Sequence, residues 1–435
     1  MGENATRWTE RQTAAAFIGY LGNIVDHFSS ALFSQPIHVL PAEGEPPVDD
    51  DFYEAFSNDA DLASSSLHDV LRGCLTWALV QRRALLAVDF PQVEAEASSR
   101  ADEDAMGLAR AYVYQVPAEQ LIDWEYESQA RRRERTRDGA VEYDVGWFKW
   151  VVLYRQRLER NDPSEKRETI VDQWKVWKRN ESGQIVWELY EATSKGTAAK
   201  TYASDVARSI TDSEFQASTA LQSGIKPGEV PMVASGVTSF ARIPLVELTV
   251  PDGLWIGNKI GPLNKEHWQR RSILNASENR SLIATAYAKM GSEAAGKGDA
   301  VTPYTQRDPE RGETYEAQLA ARGYLVIGGD DELGYLEPSG AYAVSAEERI
   351  GKLVDEIYRV SHLMASSVSS TAKSVGRSGA SKAEDRFATT VVLQALGAIV
   401  RDFARRIYEV VSEARAEAVT WQATGADHFD LFDRE

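Results

Sequence analysis

The residue types that could do chemistry are present, but almost none is spaced for it. His27, His38, His68, His267, His362 and His428 show no metal-ligand spacing. The single cysteine, Cys74, excludes internal disulfides and a thiolate zinc cluster. Its setting, Leu71-Arg72-Gly73-Cys74-Leu75, reads as that of a buried small apolar residue. Carboxylates cluster at Asp49-Asp50-Asp51 and Asp330-Asp331, in expected loops without a candidate partner. The one enzymatic alternative they leave is an acidic metal-dependent hydrolase using Asp330, Asp331 and Glu332. Gly291 to Lys297 has the glycine and lysine spacing of a phosphate loop. However, Gly298 stands where a magnesium-binding Ser or Thr belongs, and an expected helix precedes it instead of a strand. There is no Gly-x-Ser-x-Gly elbow. The expectation is a protein that is not an enzyme and uses no cofactor and no metal.

A different constellation stands out by charge. Ser366–Ala380 holds no carboxylate in a chain with 66 acidic residues and a formal net charge of −18. It carries Lys373 and Arg377, glycines at 376 and 379, and hydroxyls at Ser366, Ser367, Ser369, Ser370, Ser374 and Ser378. Taken alone, it is a solvated linker. The net charge argues against a simple DNA-binding surface, which needs a basic face, and suits a protein that must keep a polyanion from sticking. A conduit for such a polymer would place few cations, on a flexible element, with hydroxyls that meet phosphate without strong charge.

The elements that must position this segment are helices. Before it, Ser345-Ala346-Glu347-Glu348 is a capping-box pattern opening a helix with Ile350, Leu353, Val354, Ile357 and Val360 on one face. After it, Ser381-Lys382-Ala383-Glu384 opens a second helix running to about Glu417, roughly 50 Å at ~1.5 Å per residue, with only Gly397 as a weak breaker. Upstream, helices are expected within 12–40, ended by Pro36, and over 63–82, with a buried strand at Ala84–Phe90. His27 is expected at the rim of the first helix's apolar face. Residues 42–61 carry eight carboxylates and no Lys or Arg, and read as a solvated surface loop. Strands are expected at Ala111–Pro117, Trp147–Arg155, Ile170–Lys178, Ile185–Tyr190 and Arg242–Leu248. Turn chemistry at Asn161-Asp162-Pro163-Ser164 and Asn180-Glu181-Ser182-Gly183 joins three of them as an antiparallel meander. Trp174, Trp177 and Trp187 are expected as cross-strand packing and not as a base-stacking platform. Arg131–Arg135 reads as a hairpin tip. Pro262 should start a helix lasting to Met290, polar for its length, with Trp268 on one face and cations Lys265, Arg270, Arg271 and Arg280 elsewhere. Such helices bridge domains or lie against other subunits. A β piece at Tyr324–Ile327 precedes an expected loop over Gly328–Gly334, and Trp421–Glu435 is expected as a frayed acidic tail. No apolar run long enough to cross a bilayer and no signal peptide are expected.

The order of these stretches resembles portal proteins of tailed bacteriophages. It is carried by Tyr20–Val25 with Phe33-Ser34-Gln35-Pro36, by Val116–Trp124, by Ile243-Pro244-Leu245-Val246, by the helix opening Gly261-Pro262-Leu263, and by Leu336–Ala341 leading into Ser345–Ile350. The resemblance implies an α+β fold: a mixed wing domain, long stem helices, a small α/β clip and a long C-terminal helix. It places the wing (N-terminal helices plus the meander) at 1–260, the first stem helix at 261–290, the clip at 291–340 and the second stem helix at 341–365. The tunnel loop falls at 366–381, a wing and crown helix at 382–420 and the acidic tail at 421–435. It further implies a ring, usually of twelve copies, at one capsid vertex, passing double-stranded DNA without regard to sequence. Implied partners are the terminase large subunit, a head-completion or adaptor protein, and the major capsid and scaffolding proteins, with no membrane. The implied location is the virion, with the host cytoplasm during assembly. Another viral head component, a connector or minor capsid protein, is the alternative. In this scheme Lys373, Arg377 and the loop serines face DNA. Trp268, Arg270, Arg271 and Arg280 face the next subunit.

Overall fold

The computed structural model describes residues 15–90, 110–127, 135–137, 140–142, 146–159, 169–193, 230–281, 285–289, 332–336, 341–363, 379–427 and 429. The fold is α+β. Among these residues the helices are α1 Tyr20–Leu32, α2 Asp50–Asn58, α3 Leu67–Gln81, α4 Ile256–Ser281, α5 Ala341–Val360 and α6 Gly379–Ala414. The strands are β1 His38–Pro41, β2 Arg83–Asp89, β3 Tyr112–Val116, β4 Leu121–Tyr126, β5 Arg135–Arg137, β6 Ala140–Glu142, β7 Phe148–Glu159 and β8 Thr169–Arg179. They continue with β9 Ile185–Thr193, β10 Met232–Val237, β11 Leu245–Thr249, β12 Thr285–Lys289, β13 Glu332–Leu336 and β14 Trp421–Thr424. All pairings among them are antiparallel. The chain divides into two compact units. One takes the start of the chain to Tyr20 and Pro262–Val360. The other takes Leu21–Gly261, Ser361–Ala365 and Arg377 onward.

The larger unit is built on the meander. Its five-stranded sheet runs β10-β9-β8-β7-β4. Asn180 Oδ1 accepts from the Gln184 N–H at 2.8 Å, and Gly183 takes φ +85, so the β8–β9 turn closes as its composition requires. The register then sets Trp177 opposite Trp187. One face, with Val151, Leu153, Trp177 and Ile185, packs on the three-stranded sheet β11-β2-β3 through Leu85, Val116 and Leu245. Trp174 and Trp177 are 3% and 4% exposed, so their faces serve packing and not base stacking. Against the second sheet lies α6, whose stripe Leu393, Leu396, Val400, Phe403, Ile407, Val410 and Val411 is buried. Each such side chain contributes about 1.5–3 kcal/mol by leaving water. On length and composition Phe387–Ala414 passes as a membrane span, contrary to the expectation that no such run exists. With half of that stretch buried, its apolar character is that of a core helix.

Several expectations are corrected. The acidic stretch is not all loop. Asp49 caps α2, accepting from the Phe52 N–H, and Phe52, Tyr53 and Phe56 bury one helical face despite the carboxylates around them. The chain end is not all frayed. β14 pairs with β1, and Trp421 is buried, its Nε1 donating to Ser412 Oγ at 3.0 Å. α5 begins four residues before Ser345, because Ala341-Tyr342-Ala343-Val344 can propagate a helix without a cap. α6 takes in Gly379 and Ala380, expected as loop.

In the smaller unit, α4 starts before Pro262 and ends at Ser281, well short of Met290. Pro262 lacks the N–H that the turn would donate, and the boundary between the compact units falls at the same place. The expected last helical turns are instead β12, paired with β13 from Thr285 opposite Leu336 to Lys289 opposite Glu332. Part of the expected Gly328–Gly334 loop is therefore strand. Thr285, Tyr287 and Lys289 alternate with alanines. A partner some 45 residues away decides the conformation of such a segment, not its own periodicity. The β piece expected at Tyr324–Ile327 lies outside the described residues.

Candidate functional site

Residues 366–378 of the predicted DNA loop, with Lys373, Arg377 and all six serines, lie outside the described residues, and its last residues belong to α6. Its two flanks are described. Ser361 and Leu363 are buried, and Thr389 Oγ1 on α6 donates to the His362 carbonyl at 2.5 Å. The flank that follows α5 is thereby fixed to the early turns of α6.

The predicted interface residues lie on α4. Arg270 pairs within the helix with Glu266. Trp268 is 38% exposed and Ile273 60%. The side chain of Arg280 lies outside the described residues. The helix's buried residues are Ile256, Ile260, Asn264, His267 and Leu274, so two of the five are polar. This chain's own N-terminal segment uses that polarity. The Tyr20 N–H donates to Asn264 Oδ1 at 3.1 Å, and the Ala16 N–H to Ser272 Oγ at 3.2 Å. The Tyr20 ring meets His267 edge-on at 5.0 Å and Tyr358 at 6.2 Å. His267 is 1% exposed, and its Nδ1 has no hydrogen-bond partner. Burial, then the nearby Arg271, hold its pKa below the usual value. Two of the polar α4 positions therefore receive backbone amides of the same chain, a role that spacing alone did not show.

The larger unit holds a polar network in its core. Glu247 on β11, 2% exposed, accepts from Tyr126 Oη at 2.6 Å and Thr249 Oγ1 at 2.7 Å and lies 3.4 Å from Arg83 Nε. Burial and the Glu247 charge push the Tyr126 hydroxyl pKa up. Arg406 on α6, 3% exposed, donates to the carbonyls of Glu247 at 3.2 Å and Gly146 at 3.4 Å. Its guanidinium and that of Arg242 lie 4.4 and 4.0 Å from the centre of the Trp147 ring, and Arg242 also pairs with Glu413. These contacts fasten the long helix to β11 and to the Gly146–Trp147 segment before β7.

The same unit contains a cleft of about 590 Å³. Strand β1 and helix α2 both line it, and the buried side chains of Leu71, Tyr408 and Trp421, which form its floor, are among the lining. Tyr53 stacks on Tyr408 at 5.5 Å and donates its hydroxyl to Glu417 at 2.6 Å, which fixes α2 against the end of α6. Arg415 adds a pair to Asp49 at 3.1 Å and lies over the Phe52 ring at 3.6 Å. The cleft was not foreseen. Its one signal was Phe52, Tyr53 and Phe56 at helical spacing inside the acidic stretch. Among the described residues no three His, Cys, Asp or Glu side chains group to hold a metal. Asp330 and Asp331 lie outside the described residues, and Glu332 sits in β13 opposite Lys289. Compared with protein-family models and with curated proteins, the chain matches none.

Proposed function

We propose that this chain is a portal protein: a ring-forming structural component of a tailed-phage head that passes double-stranded DNA and catalyses nothing. One observation carries the proposal. α4 ends in β12, β12 pairs with β13, and β13 leads into α5. Two helices of 26 and 20 residues are thus joined in the chain through a two-stranded ribbon, and residues 290–331 connect its strands in sequence. That is the order of stem, clip and stem. The serine-rich segment follows the second stem helix and precedes the 36-residue α6, where a tunnel loop belongs. In this proposal the wing is built on the meander and the α6 core. The clip docks the terminase large subunit and later the adaptor, and the ring sits among major capsid and scaffolding proteins.

A channel of such acidic subunits would repel DNA over most of its length, so contact falls to the acid-free loop. Lys373 and Arg377 would touch phosphates transiently, with the serine hydroxyls beside them. Replacing both cations by Ser should leave assembly intact and impair packaging or retention of full-length genomes. Replacing both by Glu should impair it more. A Glu variant that packages and holds DNA at the normal rate would make the segment a linker.

A further inference from the structure

The cleft beside β1 has a chemistry that neither core packing nor a DNA channel uses. Four consecutive residues of β1, His38 to Pro41, line it. Successive side chains of a strand point to opposite faces, so the strand borders the cleft edge-on. β14 pairs along its other edge and reaches the cleft only through Trp421, and among the described residues no other strand pairs with β1. The Ala42 N–H donates to the Thr420 carbonyl at 2.8 Å. Bonded and non-bonded pairs alternate along an antiparallel ribbon. Leu40 and His38 therefore bond towards β14, and Val39 turns its N–H and C=O to the open edge. The side chain of Leu40 is 56% exposed there.

Helix α2 brings two carboxylates to the lining. Asp50 and Glu54 stand one turn apart on α2, both exposed and both lining the cleft, with no ion-pair partner among the described residues. Like charges at i and i+4 repel, and a cation placed between them would attract both. The floor supplies aromatic and aliphatic surface from Tyr408, Trp421 and Leu71.

We propose that this cleft takes an extended segment of a partner protein in which basic and apolar residues alternate. The segment adds a third strand to the β1–β14 ribbon through Val39. Its apolar side chains face the floor, and its cations reach Asp50 and Glu54. This recognition mode gives affinity through main-chain bonds and specificity through side-chain pockets. It does not depend on whether the molecule is a portal.

The test uses the full chain and a capped peptide, Arg-Val-Arg-Val-Arg, titrated calorimetrically. A net charge of −18 attracts any cationic peptide, so the decisive comparison is between protein variants. The double variant Asp50→Asn, Glu54→Gln should weaken binding at least tenfold while changing the net charge by only two. A peptide with Ser in place of Arg should bind at least tenfold more weakly, and so should one N-methylated at its valines. Equal binding by the double variant would overturn the site. Equal binding by the Ser peptide would overturn the charge pairing, and equal binding by the N-methylated peptide would overturn strand addition. Tighter binding by a helix-forming basic peptide of the same charge would make the occupant a helix and overturn the proposal.

Discussion

Gly397 shows how a residue's local meaning and its packed meaning diverge. In an isolated helix, alanine in its place would gain up to about 1 kcal/mol. Here a Cβ at Gly397 would fall 2.1 Å from the Ala426 carbonyl oxygen, which Arg401 holds together with that of Gly425. Relieving such a clash costs about 1–3 kcal/mol, so packing outweighs propensity. Gly397→Ala should lower the thermal midpoint, and a rise would show that the chain end can move aside. His267 gives a second residue-scale prediction. Because its folded pKa is lowered, the unfolded chain takes up a proton near pH 6.5 while the folded protein does not. Its contribution is intact above that pH and is lost as pH falls towards the folded value. The urea midpoint should fall from pH 7.5 to 5.5, and His267→Phe, which keeps the edge-on contact with Tyr20 and removes the unpartnered nitrogen, should make the fall smaller. An unchanged slope would mean that His267 protonates freely in the folded state.

At the scale of elements, what could be read from sequence was what closes locally. The β7–β8–β9 meander was legible because its strands alternate and a turn with its own hydrogen bonds joins β8 to β9. β2 and the apolar stripe of α6 were legible for the same reason. The misread elements depend on distant partners. β14 forms against β1, almost 400 residues earlier in the chain. β12 forms against β13. α2 opens on carboxylates that cap it and suit its N-terminus, a signal passed over for the net charge of the stretch, and Tyr53 then finds Tyr408 and Trp421. Of the candidate functional residues, Trp268, Arg270 and Arg271 were placed correctly on a helix. The amide-receiving role of Asn264 and Ser272 was invisible, because spacing does not reveal which segment returns to a helix face. The β12–β13 ribbon also sharpens the test of the clip. Deleting 291–331 spares both strands, whereas deleting 291–340 removes β13 and leaves β12 unpaired. The shorter deletion should yield a folded protein that no longer binds the terminase large subunit or the adaptor. An unfolded product would place that segment in the core.

At the scale of the molecule, the proposal joins three features that are otherwise unrelated: a motif-poor acidic chain, a two-stranded ribbon between two helices, and an acid-free segment that precedes a long core helix in the sequence. A closed ring has head-to-tail interfaces, in which different surfaces of each copy meet. The exposed side of α4, with Trp268 and Ile273, is the proposed contribution to one of them. The most direct measurement is electron microscopy of the purified full-length protein, with native mass spectrometry across protein concentration and salt. The account predicts a closed ring with an axial hole and a protruding stem, of about twelve copies as the resemblance to portal proteins implies. A monomer at every concentration and salt, or a closed oligomer without an axial hole, would contradict it.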